Sequence, residues 1–149
     1  MIRIAICDDD NEQMDSLMLL VGHYIREHPE QSFSLHCFNK TLDLLAALDR
    51  NGPMDIYLLD IYIDALSGIE AAREIRGRSR DCGIIFLSVS KNHMLEAFDL
   101  AAEHYIVKPA TGEQLHSALD RCMSRIKRSA ETRFLLCKTN DAVEQVAFD

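Results

Sequence analysis

The chain has 149 residues, 48% of them hydrophobic and 27% charged, which is enough for one well-packed globular domain and excludes a disordered chain. Its net charge of −8 argues against nucleic-acid binding by this chain alone, because phosphate contacts require clustered Lys and Arg. Five cysteines without a C-x-x-C pair support neither a cysteine zinc site nor a disulfide framework, and they favour reduced thiols in a cytoplasm.

The N-terminal stretch predicts a buried strand followed by an amphipathic helix. The run Ile2–Cys7 is β-branched and apolar, and it stops at three aspartates, Asp8, Asp9 and Asp10. It is too short for a signal peptide, and no apolar run in the chain approaches the ~20 residues that a membrane span needs. From Asn11 the period becomes helical, and the face predicted to point inward carries Met14, Leu17, Met18, Val21 and Ile25.

A weaker strand and a second helix follow. Phe33–Phe38 alternates in polarity, which suits a strand at the edge of a sheet. The apolar residues of the next predicted helix are Leu42, Leu45, Ala46 and Leu48, and the turn sequence Asn51-Gly52-Pro53 ends it.

The stretch Asp55–Gly68 contains the strand with the clearest signal. Ile56–Leu59 is apolar throughout, as in a parallel-sheet strand buried on both faces, and the run stops at Asp60. Asp60 is therefore placed at the carboxyl end of a strand, where open α/β sheets bind their ligands. By itself this stretch is equally consistent with Asp60 capping a turn or the next helix, which is predicted over residues 69–76.

Two more strand–helix units complete an alternating pattern. Gly83–Ser88 is apolar and ends in a hydroxyl, and a short helix is predicted over Met94–Leu100. His104–Lys108 predicts a fifth strand before Pro109, and a long helix is predicted over Thr111–Arg128. Strands that alternate with helices predict βαβ units with right-handed crossovers, and hence a doubly wound α/β fold with a five-stranded parallel sheet.

Residues 129–149 do not continue the alternation of strands and helices. Phe134–Thr139 predicts a strand, Asn140-Asp141 a turn, and Val143–Phe148 a returning strand. Because a lone hairpin is barely stable, we interpret this segment as the first piece of a second domain that is cut short.

Functional polar side chains follow four of the five predicted strands: Asp8 and Asp9, Asp60, Ser88, and Lys108. Because the carboxyl ends of parallel strands lie at one edge of a sheet, these side chains can share a pocket. At an effective dielectric constant of 20, two carboxylates ~4 Å apart repel by about 4 kcal/mol, so a cation must compensate, and Mg²⁺ suits oxygen ligands. A metal, a lysine, a hydroxyl and a spare carboxylate predict phosphoryl transfer to the protein.

The set Asp8-Asp9, Asp60 within LLDIYIDALSG, Ser88, Tyr105 and Lys108-Pro109 resembles the receiver domain of bacterial two-component response regulators over residues 1–128. The resemblance implies a flavodoxin-like strand order, 2-1-3-4-5, with helices on both faces of the sheet. It implies that Asp60 accepts a phosphoryl group from the phosphohistidine of a sensor histidine kinase. It also implies that the domain changes conformation and forms a homodimer when it is phosphorylated.

The resemblance assigns roles to the acidic residues and the lysine. Asp9, Asp60 and the backbone carbonyl of Tyr62 would hold Mg²⁺, and Asp8 would act through water. Lys108 would bridge the acceptor carboxylate and the phosphoryl group, and its bond to Pro109 would be cis.

The same resemblance identifies a switch and an output. Ser88 and Tyr105 would form the switch pair, with the hydroxyl drawn towards the phosphoryl group and the ring swinging inward.

Two residues depart from the usual pattern of the family, since Asp64 replaces a proline and Ala110 replaces an aromatic residue. Together, IAICDDD, Asp64 and the FLLCKT segment resemble regulators with a LytTR-type DNA-binding domain, of which residues 129–149 would be the linker and first hairpin. DNA binding and transcription control are then expected of the parent protein through the part that this chain lacks.

Two other functions compete with a phosphoacceptor switch. A phosphatase or phosphotransferase of the haloacid-dehalogenase type would use Asp60 as a turnover nucleophile, but it needs a carboxylate two residues later, where this chain has Tyr62. An interaction scaffold that works without phosphorylation would have a vestigial pocket, whereas every expected pocket residue is present. We therefore expect a switch with, at most, self-catalysed phosphotransfer and autodephosphorylation.

Overall fold

The computed structural model describes residues 1–63 and 67–143, which form five strands and five helices. In chain order the elements are β1 (Ile2–Cys7), α1 (Asn11–Glu27), β2 (Phe33–Phe38), α2 (Thr41–Asn51), β3 (Ile56–Asp60), α3 (Gly68–Arg78), β4 (Gly83–Ser88), α4 (Met94–Asp99), β5 (His104–Val107) and α5 (Gly112–Val143). Among these helices, none combines the length and the apolar character needed to cross a membrane.

All five strands are parallel and lie in the order β2-β1-β3-β4-β5, which confirms the predicted fold class. The central strand β3 is buried along its whole length because helices cover both faces of the sheet. Its side chains alternate between two cores. Ile56 and Leu58 pack with residues of α1 and α5, whereas Tyr57 and Leu59 pack with residues of α2 and α3.

The buried face of α1 differs in part from the prediction, and the buried face of α2 includes only some of the apolar residues named for that helix. In α1, Met18 is 41% exposed and Tyr24 is buried instead, and in α2, Leu42 is 62% exposed and Leu44 is buried instead. The contact stripe of each helix is narrower than its set of apolar residues, so residues at the flank of the stripe face solvent. Tyr24 can be buried because its hydroxyl donates a hydrogen bond to Asp120 at 2.7 Å.

The C-terminal segment is helical where a strand was predicted. α5 continues to Val143, so the predicted strand Phe134–Thr139 and the turn after it are wrong. A helix satisfies its backbone N–H groups internally, whereas a strand needs a neighbouring strand, and the side chains of residues 134–136 are 56–62% exposed. Asp64 and residues 144–149 lie outside the described residues, and the assignment of residues 129–149 to a second domain stays a prediction.

Candidate functional site

The polar side chains that follow β1, β3 and β5 meet at one edge of the sheet. The carboxylate oxygens of Asp8, Asp9 and Asp60, called the acidic cluster below, lie within 4.8 Å of one another. Lys108 Nζ lies 2.9 Å from Asp8 Oδ2 and 3.4 Å from Asp60 Oδ2. Asp8 is fully buried, whereas Asp60 is 6% exposed and lines an open cleft of about 430 Å³. The structure thus brings four of the predicted groups together: Asp9, Asp60 and Lys108 line the cleft, and Asp8 is buried beside them.

Burial and crowded charges alter the titration of this site. Burial and the Asp8 carboxylate raise the pKa of Asp60 from 3.8 to about 6, against the opposing effects of Lys108 and the Tyr62 N–H. Burial would lower the pKa of Lys108, but its hydrogen bond to Asp8 and the charges of Asp60 and Asp8 raise that pKa above its ordinary value. Lys108 therefore remains a cation at pH 7. The Asp60 carboxylate is mostly ionised at pH 7 and becomes protonated as the pH falls through about 6.

The three consecutive aspartates after β1 differ in their burial and in their hydrogen-bond partners. Asp10 is the N-cap of α1, because its Oδ1 accepts hydrogen bonds from two backbone N–H groups in the first turn at 2.9 and 3.3 Å. Asp8 Oδ1 accepts from the N–H of Asp10 at 3.0 Å, and Asp8 Oδ2 is left for Lys108. Asp9 is exposed and lines the cleft.

Asp60 does not cap the following helix, so the helix-capping alternative left open by the sequence is wrong, whereas its bond to the N–H of Tyr62 matches the turn-capping alternative. α3 is capped by Ser67, whose Oγ accepts from the N–H of Glu70 at 3.2 Å. Asp60 Oδ1 accepts from the N–H of Tyr62 at 3.3 Å, and its other oxygen faces Lys108. The start of α3 presses on the end of β3, because a Cβ added to Gly68 would overlap the carbonyl oxygen of Asp60.

The predicted switch residues, Ser88 and Tyr105, both contact Ser90. Ser88 is buried at the end of β4, and its Oγ accepts from the Ser90 N–H at 3.2 Å. The Tyr105 hydroxyl donates to the Ser90 carbonyl oxygen at 2.7 Å. On the other side, the Tyr62 hydroxyl lies 3.0 Å from Ser90 Oγ, and the Tyr62 ring packs edge-on against His93. Ser90 therefore links the cleft to Tyr105. Its contacts with Ser88 and Tyr105 use its backbone N–H and carbonyl groups, which every residue except proline has, so the local sequence gives no signal for this role.

Some residues that sequence reasoning missed complete the cleft. Gln13 reaches it from the first turn of α1, and Val89 from the loop after β4. Pro109 also lines the cleft, and its bond to Lys108 is cis, as the resemblance implies. Only the packing of α1 and β4 around β3 brings Gln13 and Val89 to this point.

The ligand set of the acidic cluster fits a hard divalent cation. Three carboxylates bring oxygen atoms within 4.8 Å of one another, and two of them, Asp9 and Asp60, line the open cleft. Mg²⁺ typically combines one or two carboxylates with water and phosphate oxygens. Tyr62, whose backbone carbonyl is the remaining predicted ligand, lines the same cleft. Receiver domains generally bind Mg²⁺ at such an acidic site.

Residues 4–120 match the response regulator receiver domain family. The chain is 28% identical over 132 residues to the transcriptional regulatory protein NatR of Bacillus subtilis, covering 89% of this chain and 53% of NatR. It is 33% identical over 137 residues to the positive alginate biosynthesis regulatory protein of Pseudomonas aeruginosa, covering 89% of this chain and 52% of that protein. The chain therefore spans about half the length of these curated relatives.

Solved structures of receiver domains share the fold. The response regulatory domain of mrkE from Klebsiella pneumoniae superposes with a TM-score of 0.75 at 26% identity, over 85% of this chain and 99% of that one. The response regulator TrrA from Thermotoga maritima, solved in complex with Mg²⁺ and BeF, superposes with a TM-score of 0.65 at 26% identity, over 82% of this chain and 99% of that one.

Proposed function

Because the chain belongs to the response regulator receiver domain family, we propose that the Asp60 carboxylate accepts a phosphoryl group from the phosphohistidine of a sensor histidine kinase. The observation that carries this proposal is the position of Asp60 at the cleft, 3.4 Å from Lys108 and within the acidic cluster. Asp60 both lines the open cleft and contacts the lysine, so a donor can approach it.

The transfer balances without a separate acid or base. An oxygen of ionised Asp60 attacks phosphorus in line, and the P–N bond to the donor histidine breaks with its electron pair left on the ring nitrogen. The donor imidazole carries a proton on its other ring nitrogen, so it leaves as neutral imidazole. Lys108 lies near enough to Asp60 to donate to an oxygen of the transferred group and to offset its negative charge. The pKa of about 6 leaves Asp60 mostly ionised at pH 7, so the nucleophile is available.

Mg²⁺ would be held by Asp9, Asp60 and the Tyr62 backbone carbonyl, with Asp8 contributing through water. When bound, it would neutralise the charge that builds up on the transferring phosphoryl oxygens. The complex of the Thermotoga maritima relative with Mg²⁺ and BeF supports Mg²⁺ binding, whereas the roles of the individual residues follow from the resemblance. Without the cation, the acidic cluster has Lys108 as its direct ion-pair partner among the described residues.

The output of the switch would run from Ser88 through Ser90 to Tyr105. A phosphoryl group that attracts the Ser88 hydroxyl would weaken its bond to the Ser90 N–H, and the loop carries the carbonyl that holds Tyr105. We propose that the resulting movement favours a homodimer, and that the parent protein thereby controls transcription through a LytTR-type domain. The transcriptional regulators among its relatives support this output.

Intact mass after incubation with acetyl phosphate and Mg²⁺ tests the acceptor. We expect the wild type to gain one phosphoryl group and Asp60→Asn to gain none. Asp10→Asn is the matched control, because asparagine also caps helices and this variant should still be labelled. An unlabelled wild type under all conditions would favour the scaffold, and rapid phosphate release in many turnovers would favour the phosphatase.

A further inference from the structure

A second group of ligating side chains lies on the outer surface of α1 and α5. His23 and Glu27 occupy adjacent turns of α1, and His116 projects from α5. One ligand atom from each residue lies within 4.8 Å of the other two. We propose that these three residues, called the α1–α5 cluster, form a binding site for a borderline divalent transition metal, with Zn²⁺ as the representative ion.

The distances within the α1–α5 cluster suit a shared ion. His23 Nε2 lies 2.5 Å from Glu27 Oε1, and His116 Nδ1 lies 4.0 Å from Glu27 Oε2. Bonds of about 2.0–2.2 Å to a tetrahedral Zn²⁺ place its ligand atoms roughly 3.3 Å apart, between these two distances. The His23 and Glu27 side chains are 60% and 49% exposed, so they have room to rotate towards His116, which is 26% exposed.

The two helices are held in register by a buried contact beside the cluster. Tyr24 is 1% exposed, and its hydroxyl donates to Asp120 on α5 at 2.7 Å. The ring of His116 packs edge-on against the Tyr24 ring, with centroids 5.2 Å apart. The ligand from α5 therefore does not have to be recruited when a metal arrives, which lowers the entropic cost of binding.

The ligand chemistry separates this site from the acidic cluster. Two imidazoles and one carboxylate prefer Zn²⁺, Cu²⁺ or Ni²⁺, whereas Mg²⁺ prefers oxygen ligands alone. His23 lies twelve residues beyond Asn11, and hence about 18 Å along α1 from the end that lies at the cleft. The two sites can therefore be filled independently, each by its own class of metal.

The test is a titration of the full chain with Zn²⁺ in the presence of saturating Mg²⁺, followed by calorimetry and thermal unfolding. We expect one equivalent to bind and to raise the Tm, because an ion that joins α1 to α5 binds only the folded state tightly. His23→Gln, Glu27→Gln and His116→Gln should each weaken binding at least tenfold. His23→Gln alters the most exposed of the three side chains, so it tests the site without disturbing the packing of His116 on Tyr24.

Two controls distinguish this site from other ligands. His36→Gln, on the edge strand β2, should leave the affinity unchanged. Cys37 and Cys137 are exposed and are therefore competing ligands for the metal, so Co²⁺ in place of Zn²⁺ is the second control. If the α1–α5 cluster binds the ion, no thiolate charge-transfer band should appear. Unchanged affinity in the three cluster variants, or a thiolate band that accounts for the bound cobalt, would overturn the proposal and leave His23 and Glu27 as an ordinary helix-surface pair.

Discussion

Two groups of charged and ligating side chains lie in very different environments. At the sheet edge, the side chains of Asp8, Asp60 and Lys108 are at most 10% exposed, and burial and mutual charge alter the titration of Asp60 and Lys108. On the outer faces of α1 and α5, the side chains of the α1–α5 cluster are 26–60% exposed. Similar interatomic distances therefore have different consequences, because water screens charges at the exposed helix surface far more than it screens the buried side chains of Asp8, Asp60 and Lys108. Substitutions at the sheet edge should change stability and chemistry together, whereas those on the helix surface should change ligand binding with little effect on the fold.

Removing the buried cation should produce the largest change in stability. Lys108→Met leaves Asp8 and Asp60 facing each other without compensation, and we expect a loss of about 3–5 kcal/mol of unfolding free energy at pH 7 without metal. The matched control is Arg133→Met, which breaks an ion pair to Asp81 of 3.2 Å whose two side chains are 62% exposed. That loss should be at most about 1 kcal/mol. Equal losses in urea unfolding would contradict the contrast between the two environments.

Removing the charge of Asp60 should instead stabilise the metal-free protein. The pKa of Asp60 is raised from 3.8 to about 6 in the folded state, so the folded protein binds more protons than the unfolded chain between these values. This contribution to stability is fully present below pH 3.8 and is lost as pH rises through about 6. Asp60→Asn should therefore be more stable than the wild type by about 2–3 kcal/mol at pH 7, since one pKa unit corresponds to about 1.4 kcal/mol.

Urea unfolding in EDTA across pH 4–8 checks the sign of this effect. The advantage of Asp60→Asn should be smallest near pH 4 and grow to a plateau above pH 7. If the difference in unfolding free energy between Asp60→Asn and the wild type does not change with pH, removal of the repulsion on the Asp60 carboxylate is not its cause. Mg²⁺ should reduce the difference, because it relieves the same repulsion in the wild type.

The two glycines of α3 should respond to the same substitution in opposite directions. Gly68→Ala places a Cβ against the backbone of Asp60, and we expect a loss of about 1–3 kcal/mol from overpacking. Gly77→Ala has no heavy atom within 4 Å of its added Cβ outside its own helical turn, and it should gain up to about 1 kcal/mol from helix propensity. Thermal unfolding of both variants measures the pair. A stable Gly68→Ala would mean that β3 and α3 can separate without cost.

Tyr62 should control the lifetime of the phosphorylated state by a smaller free energy. Tyr62 lines the cleft and its hydroxyl lies 3.0 Å from Ser90 Oγ, so we expect its ring to stand beside the path of a hydrolytic water. We expect Tyr62→Asn to hasten the loss of phosphate roughly tenfold, or about 1.4 kcal/mol of barrier. Tyr62→Phe separates the two contributions, because it keeps the ring and removes the contact with Ser90. If all three proteins decay at one rate, the ring does not protect the phosphoryl group.

Local sequence patterns were sufficient for most of the sheet. β1, β2, β3 and β4 begin and end at the predicted residues because continuous or alternating apolar runs stop at polar residues there. The ends of such apolar runs also pointed to Asp60 and Lys108, because the carboxyl ends of parallel strands all lie at one edge of the sheet. The prediction of strands from local patterns failed for Phe134–Thr139, where a β-like composition lies in a helix, because strand formation depends on a neighbour and not on the segment alone.

The sequence by itself determined that the strands β1, β3 and β4 are buried and which polar groups follow the strands. These features depend on periods of two to four residues within one element. Only the tertiary structure decided how separate elements meet. It places Ser90 between Ser88 and Tyr105, turns Met18 outward, and brings His116 next to His23 across ninety-three positions of the chain. Contacts of this kind depend on how helices pack on the sheet, and no short pattern encodes the distance between two residues on different helices.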